Sequence, residues 1–147
     1  MVSPGSGKTA HTRRLQPTLR AIRLAPDEWM SDLAMDLWDT HGRARIEALQ
    51  WKIAKECLRR GLTVLVEWGT WGRSERDRLR LEARALGAAV ELHYLAAPTD
   101  VLFERLQRRA MEQPPIRREQ LEQWAQTFQV PSGDEIARFD KFCALES

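Results

Sequence analysis

The heptapeptide Ser3-Pro4-Gly5-Ser6-Gly7-Lys8-Thr9 restricts the folds open to this chain more than any other stretch. Glycines flanking Ser6 let a turn adopt φ angles closed to other residues and bring its N–H groups in around an anion. A helix opening at Lys8 aims the positive end of its dipole at the same point. From there the Lys8 ammonium reaches the β- and γ-phosphates of a polyphosphate, and the Thr9 hydroxyl can ligate Mg²⁺. Pro4, Gly5, Ser6, Gly7, Lys8 and Thr9 are therefore the candidate phosphate-binding residues, with Thr9 the candidate metal ligand. The plainer alternative is a glycine turn that only caps a helix. Lysine is scarce, with Lys52, Lys55 and Lys141 the only others, so a lysine in that turn is informative.

Downstream, short apolar runs alternate with amphipathic stretches, which predicts an α/β layer fold with parallel strands. A helix is expected over 8–16, stopped by Pro17, then a brief strand over 21–24 followed at once by Asp27. The spacing predicts a helix over 43–60 with Ile46, Leu49, Ile53 and Cys57 on its apolar face and Gly61 as its stop. The run 62–66 is apolar or β-branched throughout, as in a strand covered on both faces, and ends in Glu67. Ser74 and Asp77 have capping-box spacing and open a helix that closes at Gly87. Another strand is expected over 90–95, with His93 and Glu91 on a partly exposed face. Helices follow over 99–111 and 118–128, separated by Pro114-Pro115. The tail from Pro131 onward has no assignable pattern.

With 147 residues the chain has the length of one domain. Its 23 Lys+Arg and 21 Asp+Glu leave a formal charge of only +2, and the two signs alternate instead of clustering. Such a balance argues against a nucleic-acid-binding surface. Cys57 and Cys143 have no metal-ligand spacing and form no disulfide framework. No segment has the apolar length of a membrane span and the first residues form no signal peptide. A cytoplasmic location is expected.

Four stretches taken in order, Pro4-Gly5-Ser6-Gly7-Lys8-Thr9, Leu24-Ala25-Pro26-Asp27, Val66-Glu67-Trp68-Gly69 and Arg105-Leu106-Gln107-Arg108-Arg109, resemble the P-loop kinases often labelled AAA family ATPases or ATP-binding proteins. The group is similar to zeta toxin, chloramphenicol phosphotransferase and polynucleotide kinase, and the resemblance spans about residues 2–129. It implies a three-layer P-loop NTPase sandwich that uses ATP and Mg²⁺ to phosphorylate a hydroxyl of a small-molecule or nucleotide-like acceptor. In that scheme Lys8 stabilises the phosphates and Asp27 accepts the acceptor's hydroxyl proton. Glu67 serves as a second metal-site carboxylate, directly or through water. Arg105 and Arg109, four apart on one helix face, form a lid pair, Arg105 against the nucleotide base and Arg109 on the transferring phosphate. Each has a bland alternative. Asp27 also suits a helix N-cap, Glu67 a polar strand end reaching solvent, and Trp68 and Trp71 either packing or the wall of an acceptor pocket. Arg73 and Arg76 are lesser candidates for an anionic acceptor. His11, His41 and His93 are assigned no chemistry.

Two departures from the family pattern bear on what the chain can do. Val2 stands where the full glycine motif has its first glycine, and only Met1 precedes it. The strand that feeds the turn is thus expected to be missing, and the chain to be N-terminally truncated. Besides the phosphotransferase, the sequence leaves open an ATP-binding or ATPase module with no acceptor, and a truncated, non-functional fragment.

Overall fold

The computed structural model describes residues 8–69, 72–96 and 129–146. The glycine turn before Lys8, Trp71, and the expected helices carrying Arg105 and Arg109 lie outside the described residues. Contacts gather into two compact units, one of Thr9–Trp68 with Glu82–Ala88, the other holding the remaining described residues.

The chain enters the first unit through α1 (Lys8–Leu19). Pro17 does not stop this helix as expected but lies inside it. In the last turn a proline forfeits one backbone bond, and the chain carries two further helical residues before it breaks. The break comes at Arg20, in the left-handed region at φ 50°, where Ala21 N–H returns to the Gln16 carbonyl at 3.1 Å. β1 (Ile22–Leu24) and β2 (Val64–Val66) then pair in parallel, Ile22 against Val64, Arg23 against Leu65 and Leu24 against Val66. Parallel pairing needs a long crossover, supplied by α2 (Pro26–Asp32) and α3 (Thr40–Arg59). The β2 side chains are half-buried instead of covered on both faces.

Asp39 caps α3, its Oδ1 accepting from Gly42 N–H at 2.9 Å. The buried face of α3 is Gly42, Ile46, Gln50, Trp51 and Ala54. Of the expected apolar face only Ile46 is buried; Leu49 and Ile53 are 48% and 38% exposed. Trp51 explains the rotation. Its ring meets Trp68 edge-on, centroids 6.1 Å apart, and an indole buries more apolar area than Leu49 or Ile53 would. Gln50, on the same face, accepts from Trp68 Nε1–H at 2.9 Å. After the Arg60 cap, Gly61 takes φ 73°, the expected stop.

In the second unit β3 (Glu91–Ala96) pairs in parallel with β4 (Lys141–Glu146) over six residues, from Glu91 against Lys141 to Ala96 against Glu146. Asp140 sets the register, donating its N–H to the Val90 carbonyl at 2.9 Å and accepting Val90 N–H on Oδ2 at 2.7 Å. The unassigned tail is therefore α5 (Gly133–Ile136) followed by a strand. α4 (Arg73–Ala85) begins one residue before Ser74, so Ser74 lies within it and no capping box forms. Asp77 pairs with Arg80 and Arg73, and Arg73 N–H is satisfied by Gln129 Oε1 at 2.8 Å. Gly87, at φ 83°, follows the helix as expected. No described helix is long and apolar enough to cross a membrane.

Candidate functional site

Lys8 and Thr9 open α1 as the glycine motif requires of the chain that follows it. The rest of the described site is built where β1 and β2 end and α2 begins. Glu67 follows β2 directly, and its N–H donates to the Leu24 carbonyl at 2.9 Å, which prolongs the parallel ladder by one bond. The side chain is only 2% exposed. A polar strand end reaching solvent is therefore not what Glu67 is. Its Oε2 pairs with Arg23 Nη1, while Oε1 is buried with no hydrogen-bond partner among the described residues.

Arg23 lies mid-β1 between apolar neighbours, its side chain 8% exposed. One guanidinium nitrogen goes to Glu67 and the other, Nη2, to Glu28 Oε1 in the first turn of α2. Arg13 on α1 approaches the same Glu28 oxygen at 2.8 Å. Burial works against the Arg23 charge, but the bond to Glu28 and the fields of both carboxylates outweigh it and raise its pKa further. On Glu28 the bond from Arg23 is the largest influence and, with Arg13, holds its carboxyl below the usual glutamate value against the opposing effect of burial.

Asp27 is not the cap of α2. Ala25 occupies the N-cap without a side-chain bond, and Pro26 takes the first helical position, where a missing N–H costs nothing. Asp27 and Glu28 thus fill the first turn, beside the positive end of the helix. The Asp27 carboxylate, 37% exposed, lies against Arg43 Nη2 on α3 at 2.5 Å. Arg43 is itself held by the Leu37 carbonyl at 3.2 Å. A single arginine-linked cluster hence joins the two candidate acids, Glu67 through Arg23 to Glu28, and Glu28 to Asp27 through the backbone.

The four arginine and glutamate partners in this cluster, Arg13, Arg23, Glu28 and Arg43, were not singled out by the sequence. Only Arg23 carried a signal, a cation inside the apolar run Ala-Ile-Arg-Leu-Ala. Other expectations resolve plainly. Trp68 is buried among Gln50 and Trp51, the packing reading of that residue. Arg76 is engaged with Glu135 at 2.6 Å and is 3% exposed, so it is not available to an acceptor. His93 lies 3.1 Å from Glu91, and His41 is exposed.

Mg²⁺ fits this donor set. A buried carboxylate oxygen without a hydrogen-bond partner is a hard, charged donor suited to the ion or to its bound water. Mg²⁺ commonly takes just one or two protein carboxylates and completes its shell with substrate phosphates and water. Among the described residues no group of three or more His, Cys, Asp or Glu is placed to hold a metal by itself.

A family model described as an AAA domain matches residues 3–131. No curated protein matches the chain. Among solved structures, a gluconokinase from Sinorhizobium meliloti 1021 is similar at 21% identity and a TM-score of 0.63, over 99% of this chain and 79% of that one. That likeness is one of fold, an α/β sandwich with a parallel sheet of the P-loop NTPase class.

Proposed function

The chain belongs to the AAA domain family as an ATP-binding P-loop module related to kinases, and from that premise we propose that it transfers the γ-phosphate of ATP to a hydroxyl of a small-molecule or nucleotide-like acceptor. The observation that carries the reading is the arginine-linked acid cluster, in which a buried Glu67 with one unengaged oxygen shares a guanidinium with the first turn of α2, where Asp27 sits. A structural ion pair alone has no need of an orphaned carboxylate oxygen, which costs about 1–3 kcal/mol when nothing satisfies it. The similar fold of a gluconokinase, an enzyme named for phosphorylating a hydroxylated small molecule, supports the same class of acceptor.

In this reading Gly5, Ser6 and Gly7 wrap the phosphates with main-chain amides, Pro4 shapes the turn, and Lys8 adds an ammonium. Thr9 and Glu67 would hold Mg²⁺, which when bound would neutralise charge on the phosphates. Asp27 orients the acceptor hydroxyl and accepts its proton as the oxygen bonds to Pγ; the bond from Pγ to the bridging oxygen breaks and ADP departs. Arg43 keeps the Asp27 carboxylate aimed from α2. Arg105 is assigned to the base and Arg109 to the transferring phosphate.

Incubation of the protein with γ-labelled ATP and a panel of sugars, nucleosides and other alcohols tests the proposal. Label should pass to one acceptor class and fall at least about 100-fold in Asp27→Asn, within the range general-base catalysis contributes. Release of label as inorganic phosphate alone, whatever the acceptor, would instead identify an ATPase module. Lys8→Ala should weaken ATP binding about 10- to 100-fold, the worth of charge-assisted bonds of ~1.5–3 kcal/mol; unchanged binding would remove the phosphate-loop assignment.

A further inference from the structure

The buried side of the cluster contains a residue with no place in the reaction as written above. Arg23 is 8% exposed, sits on a strand, and spends its fork on two carboxylates from different elements, Glu67 after β2 and Glu28 in α2. A buried carboxylate left alone is costly to desolvate, so its placement is governed by whatever answers its charge. For Glu67 that answer, among the described residues, is Arg23 through Oε2; Oε1 is left unengaged. Because the guanidinium is planar, holding Glu28 with one nitrogen sets the direction from which the other meets Glu67 Oε2, which a freely rotating ammonium would not do.

We propose that Arg23 is a positioning residue for the divalent cation: by gripping Glu67 Oε2 while anchored to Glu28, it fixes the carboxylate in place and leaves Oε1, the oxygen without a partner among the described residues, for the ion or its bound water. The proposal rests on the phosphotransferase reading, specifically on Glu67 as the metal-site acid. In this role Arg23 is not itself a ligand of the cation and acts through Glu67. Partners one step removed from a metal typically govern affinity by 10- to 100-fold.

The test is the Mg²⁺ dependence of ADP binding, measured by calorimetry with no turnover, for the full chain and for Glu67→Gln, Arg23→Gln, Arg23→Lys and the double variant Glu67→Gln/Arg23→Gln. Binding without Mg²⁺ reports the phosphate turn by itself and should stay within about 2-fold in every variant, since none alters the turn's amides. Arg23→Gln should raise the half-saturating Mg²⁺ concentration at least about 10-fold. Arg23→Lys keeps the charge without the fork and should fall between it and the native chain. The double variant should be no worse than Glu67→Gln, because Arg23 has no route to the cation except that carboxylate. Thermal melts of each variant identify any that fails to fold; should Arg23→Gln be one, Arg23→Lys alone carries the comparison.

Two results overturn the proposal, and they differ. If Glu67→Gln shifts the Mg²⁺ dependence and the folded Arg23 variants do not, or if the double variant is additive, Arg23 is a structural strut and the phosphotransferase reading survives. If Glu67→Gln itself leaves the Mg²⁺ dependence unchanged, the metal assignment of Glu67 falls and takes the role of Arg23 with it.

Discussion

Charge at single residues is managed here by arginine, and the direction of each shift has consequences for pH. Glu28 is held below the ordinary glutamate pKa first by its bond from Arg23 and further by Arg13, with burial opposing. A carboxyl depressed on folding adds stability above its unfolded pKa, and that stability is lost as pH falls through the folded value. Glu75 runs the other way. Burial raises its pKa against the pull of Arg78 and Arg76, so its ionised form burdens the fold at neutral pH, and the burden lifts as pH falls through the raised folded value and is gone below the unfolded one. Glu75→Gln should therefore raise the melting temperature at pH 7, with the gain shrinking to nothing in acid. Glu28→Gln should lower the stability at pH 7 by no more than about 1 kcal/mol, with a correspondingly small fall in melting temperature, since that side chain is 42% exposed and solvent screens the pair. Melts of both variants across an acid series check the two signs together; parallel pH profiles would show that these two groups do not shape the acid response.

Helices and strands differ in how far their limits follow from local residues. Gly61 and Gly87 end their helices as read from sequence because a left-handed residue is a local requirement. The brief strand before Asp27 and the apolar strand before Glu67 were legible for the same reason, although β2 proved half-covered. Pro17 misled because its cost depends on how much helix remains beyond it, and here there are two residues. The face of α3 misled because Leu49 and Ile53 satisfy the helical period as well as Trp51 does, and a partner, Trp68, decides between them. β4 had no local signal, its pairing being with a strand far upstream. Of the site, the acids Asp27 and Glu67 were legible from their places after strands, whereas the partner of Glu67, Arg23, depends on the register of β1 against β2 and that of Asp27, Arg43, on the packing of α3 against α2. The start of α3 offers a local test. Asp39 satisfies Gly42 N–H, so Asp39→Ala should cost about 0.5–2 kcal/mol while Asp39→Asn, an equally good cap, costs much less. Equal losses in urea titrations would mean that the carboxylate matters there for something other than the cap.

At the scale of global unfolding, the interaction with the largest expected leverage among the described residues is again that of an arginine, Arg76 on α4. It meets both oxygens of Glu135 on α5, Nε to Oε1 at 2.6 Å and Nη2 to Oε2 at 3.1 Å, and its Nη2 also donates to the Gln129 carbonyl at 2.7 Å. With side chains 3% and 1% exposed, the pair is withdrawn from water, and it fastens to α4 the segment from which β4 continues. Such a pair adds little over well-packed apolar residues, because the cost of desolvating two ions nearly cancels their attraction. Removing one member is different: a buried guanidinium loses the carboxylate that meets it with both oxygens, at about 3–5 kcal/mol. Against a total stability of about 5–15 kcal/mol for an ordinary domain, Glu135→Ala should shift the urea midpoint far down with little change in slope. The double change Arg76→Met/Glu135→Leu should return the midpoint to the native value or above it, although it removes more hydrogen bonds than the single variant. A double variant as unstable as Glu135→Ala would show that α5 and β4 are held by the bonds themselves, and that the penalty in the single variant was not an abandoned charge.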